Sequence, residues 1–414
     1  MSLRDAATAP GLEMLDTAPA RAVGVALAGS VLPIVGPRRY LHSGPPFPAG
    51  AQLPGPTRGA VLGALVLEGE ARDLREAGEI LDAGGVQLRC AHDHRATGAM
   101  AGIISPRIPV LVVEGAGGAR VHAPLNEGLG QALRFGSNDE IVLDRLRWLG
   151  DVATPVLDAA LIAVGGLDIA ALQAEGLRRG DECHNRNVAS TAAVLAQLAP
   201  AIVRAAPSAE VAARLLEFIA ANPHFFLTFS MAAGKAIADA AHRAGAAGLV
   251  TAIAANGVEV GIRVSGVDGW TTAPAPRGRP RLFQGYTADD ACPMLGDSFI
   301  TETIGLGAFA LVAAPAISSF IGADAGEARA LVARMRTICL SASSRFLIPA
   351  HDYAGTPLGI DVGLVAGRRT TPVVNNGFAH RLPGVGQVGA GVTELPLEPF
   401  VAAAEQLAGQ AART

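Results

Sequence analysis

The sequence predicts a multidomain α/β protein with α+β elements, in which mixed sheets flank a small helical domain inserted in the middle. Three observations predict it. Half of the 414 residues are hydrophobic, enough for a large core and more than one domain. Short apolar runs alternate with helical patterns in the N-terminal third, the signature of an α/β unit. That alternation yields to helical periodicity between Asp151 and Ala221, and strand signals then return.

Taken in order, residues 1–21 lack periodicity and read as an N-terminal arm. Over 22–150, apolar runs at 61–66 and 108–113 alternate with helical patterns such as 70–83. Residues 151–221 form the helical domain. Asp168 is placed to cap a helix over 169–178, and 189–204 is amphipathic. The second α/β domain, 222–414, opens on Asn222-Pro223 and a helix over 230–242 that stops near Gly245. Asn256-Gly257 between the apolar run 249–254 and the alternating Val258, Val260, Ile262 and Val264 predicts a hairpin, both turn positions wanting positive φ. A helix over 397–410 closes the chain.

A net charge of −4 supplies no basic field for nucleic acid. Cys90, Cys183, Cys292 and Cys339 are widely spaced with no CxxC pair, and no signal peptide precedes the first apolar run, so a reducing cytoplasm is expected. The stretches 22–37 and 304–323 are apolar enough to weigh as membrane spans. In the second, Pro315, glycines and serines interrupt the run and no Lys or Arg flanks it, which favours a buried helix and no membrane.

Polar chemistry is concentrated in a few islands. Gly180-Asp181-Glu182-Cys183-His184-Asn185-Arg186-Asn187 is the densest and the first candidate site element. Cys90-Ala91-His92-Asp93-His94 follows an apparent strand, so Cys90, His92 and His94 would share a face, suiting either a zinc ligand set or proton transfer. Glu114 to Gly118 is a glycine-rich turn after a strand. Asn126-Glu127 leads to Arg134, whose fork matches a carboxylate or phosphate. Lys235 is the sole lysine and shares a helix face with Asp239 and His242; unlike arginine, it can deprotonate. Asp297-Ser298 and Thr301-Glu302-Thr303 read as a helix start, serving either as caps or as an anion site. Gly384 to Gly389 spells GxGxxG, yet no helix pattern follows, so it supports only a glycine-rich loop. P-loop, GxSxG and HExxH motifs are absent from the sequence.

The string Leu41-His42-Ser43-Gly44-Pro45-Pro46, together with the segments 90–106, 125–136, 180–187, 222–235, 251–266, 296–307, 355–361 and 384–391, resembles the YlbE-like family. The resemblance runs from about residue 22 to the C-terminus. Assigned members of that family are subunits of oxamate carbamoyltransferase in allantoin and purine nitrogen catabolism. It implies a multidomain α/β fold and the reaction oxamate plus carbamoyl phosphate giving oxalurate plus phosphate, or its reverse. It also implies a homo-oligomer or a hetero-oligomer with other carbamoyltransferase subunits. The Ser-Thr-x-Arg-Thr phosphate signature of aspartate and ornithine carbamoyltransferases is missing, so a different site must handle carbamoyl phosphate.

Under this reading the chain binds a small anion, carbamoyl phosphate, oxamate or oxalurate, and requires no cofactor and no metal. Arg186 and Arg134 hold phosphate and carboxylate. His92, His94 or His184 moves the amide proton, with Glu182 or Asp93 orienting the ring, and Lys235 is a further catalytic candidate. Asn185, Asn187 and Asn256 hold the planar amide, and Glu302 contributes to binding. Two rival expectations remain. One is a metal-dependent amidohydrolase, with His92 and His94 as paired ligands and Lys235 carbamylated. The other is a non-catalytic subunit that completes a multi-subunit enzyme.

Overall fold

A computed structural model of the chain describes residues 3–245, 247–320 and 324–412. It is a mixed α and β protein with several small sheets. The expected class holds, but the sheets are antiparallel apart from one parallel pair, Arg39–His42 beside Gln87–Cys90.

The first sheet runs in the order Arg120–Pro124, Pro109–Gly115, Ala20–Leu27, Leu167–Asp168. Against it packs the helix Leu227–Arg243, which is buried on nearly every face because six alanines and Gly234 let its neighbours approach closely. Gly234 permits close approach: a Cβ there would sit 3.0 Å from the Ile300 carbonyl oxygen. The second four-stranded sheet, Leu295–Gly296, Val250–Asn256, Glu259–Val264, Thr271–Pro274, packs through Val250–Asn256 on both this helix and its neighbour Ile300–Thr303. A third sheet holds Arg279–Leu282, Gln387–Glu394 and Val373–Ala379.

Several sequence expectations are met locally. The Asp168 carboxylate accepts from the Ala171 N–H and caps Ile169–Arg178. The helix Val188–Ala205 forms as read. It is long and apolar enough to cross a membrane by length and composition, and it packs Val194, Leu198 and Ile202 into the main core.

Others are corrected. Residues 3–17 are helical rather than irregular, with Leu15 fully buried; Pro10 inside the helix obscures its period. The run 61–66 belongs to the helix Gly55–Leu67, not to a strand, because a short apolar run has no diagnostic period. The 150/151 boundary falls inside a continuous helical run from Glu140 to Ala163, through a π-helical turn at Leu149–Ala153. The stretch 304–323 is not one helix. Gly305 and Gly307 take positive φ, a 3₁₀ segment follows at Gly307–Ala313, and Pro315 opens a new helix; residues 321–323 lie outside the described residues.

The 250–264 hairpin forms, but by a different device. Gly257 alone takes positive φ, and Asn256 stays in the strand, its Oδ1 accepting from the N–H groups of Val258 (2.9 Å) and Glu259 (2.8 Å). Its Nδ2 donates to the Pro45 carbonyl at 2.9 Å. Gly44 lies so close that a Cβ there would be 2.4 Å from the Asn256 nitrogen. Three hydrogen bonds, one buried and two part-buried, at about 1 kcal/mol each predict that N256A loses roughly 2–3 kcal/mol. A chemical-denaturation midpoint equal to wild type would show that Asn256 does not hold this junction.

Candidate functional site

The 180–187 island folds around one carboxylate. Glu182 is fully buried and accepts from the N–H groups of His184 (3.0 Å), Asn185 (2.6 Å) and Arg186 (3.1 Å), and from Asn375 Nδ2 (2.7 Å). Cys183 takes a left-handed φ of 63° to let the loop wrap, and Asn187 Nδ2 closes it on the His184 carbonyl at 2.6 Å. Burial pushes the Glu182 carboxyl above the usual carboxylate range, against the His184 charge and the three N–H donors.

The loop presents His184 to a second buried carboxylate. Its Nδ1 lies 3.0 Å from Glu302, which also accepts from the Thr301 hydroxyl, the Ala308 N–H and the Asn375 N–H. Gly307 must be glycine here, since a Cβ would lie 2.2 Å from Glu302 Oε1. Burial alone would depress the His184 ring, but the charge and hydrogen bond of Glu302, with Glu182 adding, outweigh it and hold its pKa above the ordinary value.

A cavity of about 570 Å³ opens beside this pair, its polar wall made of Arg134, His184, Asn185, His224, Ser298 and Gln387. Arg134 reaches it with Nε and Nη2 both donating to the Gly128 carbonyl, at 3.2 and 2.8 Å, and its guanidinium lies 4.5 Å from the Phe135 ring centroid. Burial lowers its pKa to about 10, so it remains charged at neutral pH. Glu127 is its nearest acid by charge, but that carboxylate is taken by the N–H groups of Leu133 and Arg134, both at 2.9 Å. A guanidinium and a positively held imidazole on a concave wall suit a small anion.

The other candidates lie elsewhere. Arg186 is outside the cavity lining; its Nε donates to the Gly180 carbonyl at 3.0 Å and lies 3.5 Å from Asp181. The strand alternation expected for Cys90, His92 and His94 is broken, because the strand ends at Cys90 and Ala91–His94 is a 3₁₀ turn closed by Arg95 at φ 56°. His94 therefore lines a separate groove of about 460 Å³ with His42, Cys90 and Asp93. His92 is buried instead, Nε2 3.5 Å from Asp297, its ring edge-on to Trp270. Lys235 is buried and engaged, donating to Asp239 (2.7 Å) and the His92 carbonyl (3.0 Å). Asn256 lines neither cavity. Among the described residues, no three His, Cys, Asp or Glu side chains converge with metal-holding geometry.

Sequence reasoning missed His224, Gln387 and Asn375. His224 followed a helix-opening Asn-Pro and was read as part of that boundary. Asn375-Asn376, two amides within an apolar strand, was a legible signal for buried polar anchoring.

A profile of the family described as "Oxamate carbamoyltransferase subunit AllG" matches residues 86–298. The protein of that name from Escherichia coli (strain K12) is 42% identical over 375 residues, covering 90% of this chain and 89% of that protein. The uncharacterized protein YahG of the same organism is 38% identical over 91% of this chain and 80% of its own length. The crystal structure of a conserved protein of unknown function from Enterococcus faecalis V583 superposes with a TM-score of 0.94, at 38% identity over 98% of both chains. Shared sequence along nearly the whole length, and the matching profile, mean that the chain belongs to the family of the oxamate carbamoyltransferase subunit AllG.

Proposed function

We propose that the chain is a subunit of a carbamoyltransferase acting on oxamate and carbamoyl phosphate, or on oxalurate and phosphate in reverse, and that its 570 Å³ cavity holds the small anion. The observation that carries this reading is Arg134, a half-buried guanidinium on the cavity wall with a carbonyl for its partner and no ion pair to a carboxylate among the described residues. In carbamoyl transfer the amide nitrogen forms a bond to the carbamoyl carbon as the bond to phosphate oxygen breaks, and the proton displaced from that nitrogen leaves on the departing phosphate. Negative charge builds on the carbamoyl oxygen and the leaving phosphate, so fixed cations and N–H donors are what the step requires. Arg134 and His184 supply the cations. Glu182, Glu302 and Asn187 act through the loop they hold, as positioning residues. Partner subunits of the transferase complete the assembly. Phosphate-dependent cleavage of oxalurate, assayed with this chain alone and with those partners, tests the reading; no turnover in any combination removes it.

Two binding experiments separate the residues. Loss of a charge-assisted hydrogen bond predicts that R134A weakens oxamate binding by about 10- to 100-fold, whereas R186A, whose guanidinium is committed to Gly180 and Asp181, stays within about threefold by the same reasoning. Calorimetric titration of variants with unchanged melting temperatures checks this, and the reverse order would transfer the anion to Arg186.

The second experiment uses pH. His184 has a folded pKa raised above its ordinary value, so its charge is complete below about 6.5 and is lost as pH rises through the raised value. Oxamate, ionised throughout, should bind progressively more weakly from neutral into alkaline pH while Arg134 stays charged, and H184N should flatten that slope. Tighter binding with rising pH would contradict a cationic His184.

A further inference from the structure

We propose that the outward face of the helix Val188–Ala205 is a two-fold interface on which a second copy of this chain docks, the two helices lying antiparallel about a point between Leu195 and Ala196.

Among the described residues this is the one helix long and apolar enough to cross a membrane, yet 39% of it is buried. Val194, Leu198 and Ile202 fill the core. The opposite side is left to solvent without a charge: Val188, Ala192, Ala196 and Val203 are exposed, and Leu195 and Ala199 are half-buried. The helix Thr154–Ala163, packed beside it, adds Pro155, Ala159 and Ile162, all exposed, the last by 64%. Its one acid, Asp158, turns away to accept from the Val25 N–H at 3.0 Å. The helix Ala209–Ala221, which also packs on Val188–Ala205, exposes Glu210, Arg214 and Glu217. An apolar centre with a polar rim is the anatomy of a protein interface.

Whatever covers an uncharged apolar face must itself be uncharged and apolar, and this face supplies its own match. Positions equidistant from the midpoint are Val188 and Val203, Ala192 and Ala199, Leu195 and Ala196. A two-fold rotation therefore lays valine on valine at the ends and small residues on small ones between, as an isologous contact requires. The spacing of 188, 192, 195 and 199, alternating four and three, is the seam of helices that cross at about 20°. The three helices have 18, 10 and 13 residues; at about 1.5 Å per residue and about 10 Å apart they present about 600 Å² per copy, or about 1,200 Å² in the pair, the lower bound of a stable specific interface. A membrane is the poorer occupant, because Arg204 is the only charged residue on Val188–Ala205 and no Trp or Tyr anchors it. The pairing also covers Val188, the residue that follows the 180–187 loop.

Sedimentation of the full chain at micromolar concentration should show a dimer. A196R sets two guanidinium groups against each other beside the two-fold and should weaken the dimer about 100-fold or more. A196E should do the same, and mixing the two variants should restore it. Oxidative cross-linking reads the geometry separately and decides alone if the charged variants fail to fold. Ala196 lies beside its own counterpart, so A196C should form a disulfide-linked dimer, whereas V203C, about 20 Å from its counterpart in antiparallel helices, should not. The native Cys90, Cys183 and Cys292 are buried and do not compete. A monomeric wild type, a dimer that a folded A196R leaves intact, or a V203C that links to itself overturns the interface. So does a face that A196R shows to be held by a different subunit or by phospholipid vesicles instead of a second copy.

Discussion

Two buried carboxylates, Glu182 and Glu302, are the constraint from which the site follows. A carboxylate withdrawn from water costs several kcal/mol unless its oxygens are fully engaged, and neither residue can be satisfied by its own segment. Glu182 takes three N–H groups from its own loop and one from Asn375; Glu302 takes its neighbours Thr301 and Ala308, then His184 and the backbone of Asn375. Asn375 spans both, side chain to one and backbone to the other. The loop 180–187, the segment 300–308 and the strand Val373–Ala379 are thereby locked together, and the cavity opens beside their junction, which gives it His184, Asn185 and Gly377.

The charge pattern of that cavity follows from the same locking. Glu302 raises the His184 pKa by its charge and hydrogen bond from outside the cavity lining, while His184 itself lines the cavity. Arg134 is fixed by the Gly128 carbonyl and has no ion pair to a carboxylate among the described residues. The two cations in turn help keep His224 neutral. One wall therefore brings Arg134, His184 and His224 together.

Much of the scaffold was legible in the sequence because its signals are local. The Asp168 cap, the amphipathic helix Val188–Ala205 and the turn at Gly257 each depend on residues within a few positions. The 180–187 loop was legible as a polar island, and Arg134 and Glu302 as residues able to meet an anion or its support. What escaped was long-range. Whether a polar island faces a cavity or a buried partner depends on segments distant in the chain, as Asn256 illustrates by holding Pro45 and its own hairpin. The helix Gly55–Leu67 escaped for another reason, since its apolar run carries no period that separates helix from strand.

The second polar island shows why residue type alone does not locate a site. Asp297, five residues before Glu302, accepts from the N–H groups of Gly44 (2.6 Å) and Gly98 (3.0 Å) and lies 3.5 Å from His92. Lys235 spans from Asp239 to the His92 carbonyl on the same side. These groups join the 42–46 segment and the 91–98 turn to the long helix, much as Glu302 joins the loop to the strand on the other side. Ser298, adjacent to Asp297, already lines the cavity, so one short segment serves both. Lys235 and the His92 carbonyl thus make a structural contact within an apolar interior, where unpaired polar atoms are costly. Arg134, by contrast, has a carbonyl for its partner and lines the cavity.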